Sequence, residues 1–338
     1  MNFKSKSMKK IIFYNFLILI VVIFLAEFSI KMIFDITTQG ISRGIINENS
    51  SHPRFNNNDV KNGKVFGKKV FTDKDGFRSV ATKNKTNDYI SSKPEVYFVG
   101  GSVTFGMGMD QENTFSGILN KEESNYNFYN AGVIGSDLKN NFYILKNKIN
   151  KENLKNVFIN FSVDDIGVKN LIEVKKKENL KKNKKIIDKI KNIYFFSQAN
   201  KLIRTRSYTY VLLKNFLFDA KERYYSEALS LYSSDENIKH MKNYLNKIDK
   251  INKEIENKII FMIIPYSSQV SEVSCKTNDI ANILIEKEIK NRNFKYINFK
   301  THFCREENFK KFFLDFDPSH LNKDGHEYIA KFIKKNIL

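Results

Sequence analysis

The chain has 338 residues, of which 41% are hydrophobic, enough to bury the core of one large domain or two small ones. Its formal net charge is +20, but the lysines are spread along the whole chain, and no zinc-finger spacing, RNA-binding aromatic motif or glycine-rich phosphate loop accompanies them. We therefore expect no nucleic-acid partner, and with only two cysteines and no phosphate loop we expect neither a metal nor another cofactor.

The N-terminus is a short basic segment followed by a long apolar run from Ile11 to Phe34. A membrane-spanning helix needs about 20 mostly apolar residues. The run is longer than the apolar part of a cleaved signal peptide, and Ala26 is not followed by a good small-x-small cleavage site. We predict a cytoplasmic basic tail over 1–10 and an uncleaved transmembrane signal anchor over 11–34, with a cleaved signal peptide as the alternative.

The basic flank of the anchor also predicts its orientation. Lys4, Lys6, Lys9 and Lys10 should stay in the cytoplasm, which places the rest of the chain outside it, in the periplasm or at the cell surface. In such an oxidising compartment Cys275 and Cys304 could form a disulfide. The alternative is that both are unpaired small apolar residues.

Residues 35–92 are polar and rich in turn-forming residues. We interpret them as a tether with short strands around VFGKKVFTDKDGFRS, residues 65–79. The Asp75-Gly76 step is typical of a tight turn between two such strands.

From Glu95 onward, short and almost continuously apolar strands alternate with helices. Strands of this kind are typical of a parallel sheet covered on both faces. The alternation predicts an α/β fold over 93–338 with three α/β/α layers and a central parallel sheet. We expect strands at 95–100, 127–132, 156–163, 258–266 and 294–299, and helices over 113–121, 137–150, 279–291 and from Lys323.

A lysine-rich stretch over 168–256 interrupts that alternation. Its helical periodicity and scarcity of glycine and proline predict a helical insertion between two strands of the sheet. Its lysines are expected to form a solvated face, with a membrane-facing role as the alternative.

Ser102 directly follows the first apolar strand, inside GGSVTFG (100–106). Ligand sites of open α/β sheets gather at the carboxyl ends of the strands. The N–H groups at the start of the next helix could stabilise an oxyanion there. The alternative is a glycine-rich turn in which Ser102 only caps a helix. Neither the G-x-S-x-G elbow nor a P-loop fits, since position 104 is threonine and no Gly-Lys pair follows.

Asp317 and His320 lie three residues apart in DPSHLNKDGH (317–326), just before the last expected helix. A serine becomes a good nucleophile when a histidine takes its proton and a carboxylate orients that histidine. The spacing allows the carboxylate to reach the imidazole within one turn. By itself an Asp-x-x-His pair is more often structural.

In this order, GGSVTFG, NAGVIGSD (130–137) and DPSHLN resemble the conserved blocks of the SGNH/GDSL hydrolases. The resemblance covers about residues 70–166 and 256–338. It implies Ser102 as nucleophile, His320 as base and Asp317 as its carboxylate, with backbone N–H groups of Ser102 and Gly135 in the oxyanion hole. The preceding GFRS and the N-terminal anchor resemble the membrane-anchored extracytoplasmic branch.

Asp164 is a departure from the family pattern, which has an asparagine donating to the oxyanion at this place. An ionised carboxylate is acceptor-only and repels an oxyanion, whereas a protonated one could donate. Either Asp164 is kept neutral, or another donor replaces it, or the enzyme is weak or specialised. We expect the neighbouring Asp165 to cap a turn through nearby backbone N–H groups.

Other polar residues have no matching motif. Tyr266 and Ser267 end a strand at the same sheet edge and are expected to line the pocket. The remaining histidines are interpreted as surface or packing residues: His52, His240, His302 and His326.

The resemblance implies a membrane-anchored serine esterase that removes O-acetyl groups from an envelope or exported glycan, or acts on a small ester. One alternative is an O-acyltransferase on extracytoplasmic polysaccharide that works with a membrane acyltransferase partner. The other is a catalytically degraded member that binds a glycan or an envelope partner.

Overall fold

The computed structural model describes residues 2–37, 62–65, 68–73, 75–79, 92–167, 207, 209–210, 213, 217, 220–277, 279–314 and 317–338. The strands are β1 (Asn62–Val65), β2 (Lys68–Thr72), β3 (Arg78–Ser79), β4 (Glu95–Gly100), β5 (Asn127–Gly132), β6 (Leu154–Asn160), β7 (Ile259–Ile263) and β8 (Lys295–Asn298). The helices are α1 (Asn2–Thr37), α2 (Ser102–Phe105), α3 (Phe115–Glu122), α4 (Leu138–Asn147), α5 (Ala220–Ser230), α6 (Asp235–Glu254), α7 (Ile280–Lys290), α8 (Phe299–Phe303) and α9 (Lys323–Asn336).

The described strands form one sheet in the order β1-β2-β3-β5-β4-β6-β7-β8. From β5 to β8 all neighbouring strands are parallel, as their apolar sequences predict. Consecutive residues of each strand face opposite sides of the sheet, so both faces carry a buried core. The layer with α4, α6 and α7 packs on Val99 and Ile159, and the layer with α3 and α9 packs on Phe98 and Phe158. This is the predicted three-layer α/β/α arrangement.

The sheet is mixed, because β1, β2 and β3 extend it with antiparallel pairings. Arg78 of β3 pairs with Asn130 of β5. The predicted turn is present: Gly76 has φ of 83°, and the Asp73 carboxylate accepts N–H bonds from Asp75 and Phe77. These strands cover β5, which would otherwise leave an unpaired edge. Part of the segment predicted as a tether with short strands is therefore built into the main sheet.

The described part of the predicted helical insertion is helical, in α5 and α6. In α6, Met241, Leu245 and Ile248 are buried in the core on one side of the sheet. Their spacing of four and three residues places them on one helical face. This helix lies between β6 and β7 in the chain and packs on one face of the sheet, as a crossover helix does. The stretch 168–206 lies outside the described residues.

Helix α1 contains a 21-residue apolar segment, Lys10–Ile30, with a mean hydropathy of 2.6. It is long and apolar enough to cross a membrane. None of the residues of that segment is buried against the rest of the protein.

Candidate active site

The site lies where the parallel strands end. Gly100, Gly132 and Asn160 are the last residues of β4, β5 and β6, and these three strands are adjacent in the sheet. Parallel strands bring their carboxyl ends to one edge, so the loops that follow them meet there. Ser102 lies two residues beyond the end of β4 and begins the one-turn helix α2.

The turn between β4 and α2 requires glycine. A Cβ on Gly100 would lie 2.4 Å from Thr104 Oγ1 and 2.9 Å from Asn160 Cβ, both too close for a real contact. Gly101 has extended backbone angles and precedes the helix. Close packing where the strand turns into the helix therefore explains Gly100. A Cβ on Gly101 would meet only ordinary contacts, the nearest 3.8 Å from Asp165 Oδ1.

Ser102, His320 and Asp317 form a continuous hydrogen-bonded chain. The Oγ of Ser102 lies 2.8 Å from His320 Nε2. The Nδ1 of His320 lies 2.9 Å from each carboxylate oxygen of Asp317. With the proton on Nδ1 donated to Asp317, Nε2 is left to accept the Ser102 hydroxyl. Asp317 is 1% exposed and His320 5%, so both lie beneath the surface.

The carboxylate of Asp317 also organises its own loop. Its Oδ1 accepts N–H bonds from Ser319 at 2.9 Å and from His320 at 2.8 Å. One carboxylate thus accepts from three N–H groups and fixes both the backbone and the ring of His320, which is how the Asp-x-x-His spacing works locally. The N–H of Ser267 donates to Pro318 O at 2.8 Å and supports the loop from β7.

The pocket in front of Ser102 contains most of the other residues predicted for the site. Gly135 and Asp164 line it together with Ser102 and Tyr266. Gly135 has φ of 75°, a left-handed conformation that favours glycine and turns the loop after β5. The cavity volume is about 30 Å³, room for a group of only a few atoms. Ser267 contacts the Asp317 loop and is not among the pocket-lining residues.

Asp164 and Asp165 differ in their surroundings. Asp165 is 3% exposed, and its Oδ2 accepts the N–H of Ser162 at 2.7 Å, as expected of a capping residue. Asp164 is exposed at the pocket, in the turn Val163–Ile166. The structure therefore presents a carboxylate, and no amide, at the place where the family resemblance implies an asparagine.

Three serines of the pocket lining were not singled out from the sequence. They are Ser136, Ser162 and Ser319. Ser136 follows Gly135 in the motif NAGVIGSD, and Ser319 lies between Asp317 and His320. Their positions inside the motifs were the signal, but serine in a polar loop is too common to stand out.

The other histidines of the described residues lie apart from this chain of contacts. His326 is fully buried, burial lowers its pKa to about 3, and its Nδ1 accepts the N–H of Phe115, so it is a neutral packing residue. Burial also lowers the pKa of His240 and His302. His52 lies outside the described residues. Among the described side chains, no group of three or more His, Cys, Asp or Glu could hold a metal ion.

Cys275 and Cys304 are joined by a disulfide with a Cα–Cα distance of 5.6 Å. Cys275 lies in the segment that follows β7, and Cys304 caps α8. The disulfide therefore links the segment after β7, from which Ser267 contacts Pro318, to the end of α8.

No family model matches this sequence, and no curated protein matches it. Solved structures similar to it include a lipase/acylhydrolase from Enterococcus faecalis, with 11% identity, 72% of this chain and 95% of that chain covered, and a TM-score of 0.41. A lipolytic protein of the G-D-S-L family from Veillonella parvula has 14% identity, coverage of 72% and 97%, and a TM-score of 0.40. A catalytic mutant of an acetylxylan esterase from Geobacillus stearothermophilus has 13% identity, coverage of 73% and 95%, and a TM-score of 0.40. Similarity at these identities and TM-scores assigns no substrate to this chain.

Proposed function

We propose that this protein is a membrane-anchored serine ester hydrolase of the SGNH/GDSL superfamily that removes small acyl groups from an extracytoplasmic glycan. The observation that carries the proposal is the unbroken contact from Ser102 Oγ through His320 to the buried carboxylate of Asp317. A helix cap or a structural Asp–His pair does not require this three-residue alignment. It is the arrangement that activates a serine.

In the proposed reaction His320 Nε2 takes the proton of Ser102 as Oγ attacks the ester carbonyl. Asp317 stabilises the imidazolium that forms and keeps Nδ1 protonated. The proton then passes from Nε2 to the departing sugar oxygen as the C–O bond breaks and an acyl-enzyme remains. A water attacks this acyl-enzyme with His320 again as base, which releases the carboxylic acid and restores Ser102.

The tetrahedral intermediate needs hydrogen-bond donors on its oxyanion. We assign this role to the backbone N–H groups of Ser102 and Gly135, whose residues line the same pocket. Asp164 is exposed at the pocket, and a carboxylate oxygen accepts hydrogen bonds and does not donate them. We therefore expect it to add no donor and to hold the rate below that of an enzyme with asparagine at this place.

The small cavity supports a small acyl group such as acetyl. The segment Lys10–Ile30 supports an anchor, and the lysines before it support a cytoplasmic N-terminus with the catalytic domain outside. A domain held in this place meets glycans of the envelope or glycans on their way out of the cell.

The proposal is tested by labelling the full-length protein in detergent with a fluorophosphonate probe and mapping the modified peptide. We expect the label on Ser102, hydrolysis of p-nitrophenyl acetate, and loss of both in Ser102→Ala. The control is Ser124→Ala, an exposed serine in the turn before β5, which should behave as the native protein does. Unchanged ester turnover by Ser102→Ala would refute the mechanism.

The exposed Asp164 favours one second candidate, a member of the fold that binds glycan without turnover. This candidate predicts no fluorophosphonate label on Ser102 together with measurable binding of an acetylated oligosaccharide. Transfer, as opposed to hydrolysis, would appear as acetylated polymer formed only when a membrane acyl-donor protein is supplied.

A further inference from the structure

The helix that carries Ser102 is too short to hold itself in place. In α2 the N–H of Phe105 donates to Gly101 O and that of Gly106 to Ser102 O, at 3.0 and 3.1 Å. Forming a single helical turn is unfavourable without tertiary support, because several residues are fixed for one or two hydrogen bonds. The carbonyls at its C-terminal end also need partners from elsewhere.

Arg78 supplies those partners. Its Nη1 donates to the carbonyl oxygens of Phe105 and Gly106, the latter at 2.8 Å, and its Nη2 donates to Met109 O. Its guanidinium also lies 4.6 Å from the centre of the Phe105 ring. Burial lowers the pKa of Arg78 to about 9, with the charge of Asp110 opposing the shift, so the group is cationic at neutral pH.

The Arg78 side chain starts from a paired strand, and its guanidinium is closely packed against its neighbours. Arg78 lies in β3, and its partner in the register, Asn130, donates from Nδ2 to the same Phe105 carbonyl at 3.4 Å. A Cβ on Gly106 would lie 3.1 Å from Arg78 Nη1 and 2.2 Å from Thr114 Cγ2. The end of α2 is thus held closely between the extended edge of the sheet and the loop that precedes α3.

Arg78 does not take part in the reaction directly. It is 2% exposed, and it is not among the described residues that line the pocket. A planar guanidinium can bind several acceptors at fixed angles, which an ammonium group cannot do. Its contacts set the position of the α2 backbone, and Ser102 is the first residue of that helix.

We infer that Arg78 is a positioning residue that holds α2 so that Ser102 Oγ stays within reach of His320 Nε2. The inference rests on the proposed function, since it assigns Arg78 a task at the same nucleophile. It also links the antiparallel extension β1–β3 to catalysis, because β3 carries Arg78. Among the described residues, Arg78 is the cation that binds the carbonyls at the end of α2.

The experiment compares Arg78→Met and Arg78→Lys with the native full-length protein, in detergent and well below the melting temperature. The readouts are kcat and KM for p-nitrophenyl acetate and the rate of fluorophosphonate labelling at Ser102. We expect Arg78→Met to lower kcat and the labelling rate by about 10–100-fold, because a nucleophile displaced by about 1 Å loses rate on this scale. KM should change by less than about threefold, since the pocket itself is untouched.

Arg78→Lys keeps the charge but can donate to fewer carbonyls, so its kcat should lie between that of native protein and that of Arg78→Met. The matched control is Arg292→Met. Arg292 Nη1 also donates to a backbone carbonyl, that of Glu288, but it lies just before β8 at the opposite end of the strands. This variant should keep the native kcat.

The outcomes separate the two proposals. If native protein is not labelled at Ser102, the proposed function fails. If native protein is labelled and a folded Arg78→Met is labelled equally fast, the positioning role is wrong. Should Arg78→Met not fold, a native kcat in Arg78→Lys overturns the inference, and failure of both variants to fold assigns Arg78 to stability alone and overturns it too.

Discussion

The two sides of the candidate active site differ in how their carboxylates are held: one is buried and hydrogen-bonded, and the other is exposed. On the nucleophile side, Ser102, His320 and Asp317 are joined at 2.8–2.9 Å, and the carboxylate is buried and shared between a ring and two backbone N–H groups. On the oxyanion side, the turn Val163–Ile166 is held by the buried Asp165, while Asp164 presents an exposed carboxylate to the pocket. In the proposed mechanism, the first arrangement activates the serine, whereas the second places a carboxylate beside the oxygen on which negative charge develops.

This difference separates two requirements of acyl transfer. A nucleophile needs an aligned base, whereas the intermediate needs donors aimed at its oxygen. A site complete in the first and lacking a donor in the second should still be labelled at its serine by a covalent probe, but both labelling and turnover should be slow. The predictions below test each side in turn.

The largest effect is expected from Asp317→Asn. The asparagine oxygen can still accept from Ser319 and His320, so the loop should keep its shape. Its NH₂ group, facing Nδ1, would favour the imidazole tautomer with the proton on Nε2, which cannot accept from Ser102. We expect kcat for p-nitrophenyl acetate to fall by about 10⁴-fold. The melting temperature is measured alongside to show that the variant is folded.

Asp73→Asn is the matched control for that substitution. The Asp73 carboxylate accepts two backbone N–H groups in a similar turn, which lies between β2 and β3. It should leave kcat within about threefold of native. A loss in Asp317→Asn no larger than this would show that the nucleophile side does not depend on the carboxylate.

The oxyanion side is tested by Asp164→Asn. Removing the charge and adding an NH₂ donor should raise kcat by about 10-fold or more, since one oxyanion donor is worth roughly 10²–10³ in rate. The labelling rate at Ser102 should rise as well, because the phosphonyl oxygen occupies the same hole. Melting temperature should stay nearly constant, as Asp164 is exposed.

Glu152→Gln is the control for the change of charge, because Glu152 is exposed in the loop before β6, at the other end of the strands. It should leave both rates at their native values. If Asp164→Asn lowers kcat or leaves it unchanged, then an ionised Asp164 does not limit turnover, and the contrast between the two sides disappears.

The parallel part of the fold was predictable from the sequence for a local reason. The strands β4 and β7 are almost continuously apolar and buried along their length, and β6 is apolar and buried over Val157–Ile159. Such strands can be recognised as buried on both faces without knowing which strands they pair with. Ser102 and His320 were predictable because short motifs carry their local geometry: the double glycine before the serine and the Asp-x-x-His loop.

The role of β3 was not predictable in the same way. It is two residues long, and its partner in β5 lies about fifty positions later, so no local pattern marks the pairing. A buried arginine is also contrary to the expectation that charged residues are exposed. Its acceptors are backbone carbonyls, which every residue type provides, so the sequence GFRS contains no sign of what Arg78 binds.

The smallest effect on rate is expected from Cys304→Ser, which removes the disulfide to Cys275. The closed loop spans a sequence separation of 29, for which chain entropy predicts a loss of about 3–4 kcal/mol in the free energy of unfolding. Urea unfolding of the variant, and of native protein in reductant, should show this loss equally.

The rate should fall by less than about 10-fold while the variant remains folded. The disulfide braces the loop from which Ser267 donates to Pro318, but Asp317 also holds its turn through its own bonds to Ser319 and His320. Two supports of the same loop make each one partly dispensable. A loss of kcat as large as that of Asp317→Asn would contradict this, because it would mean that the nucleophile side owes its alignment to the disulfide and not to the buried carboxylate.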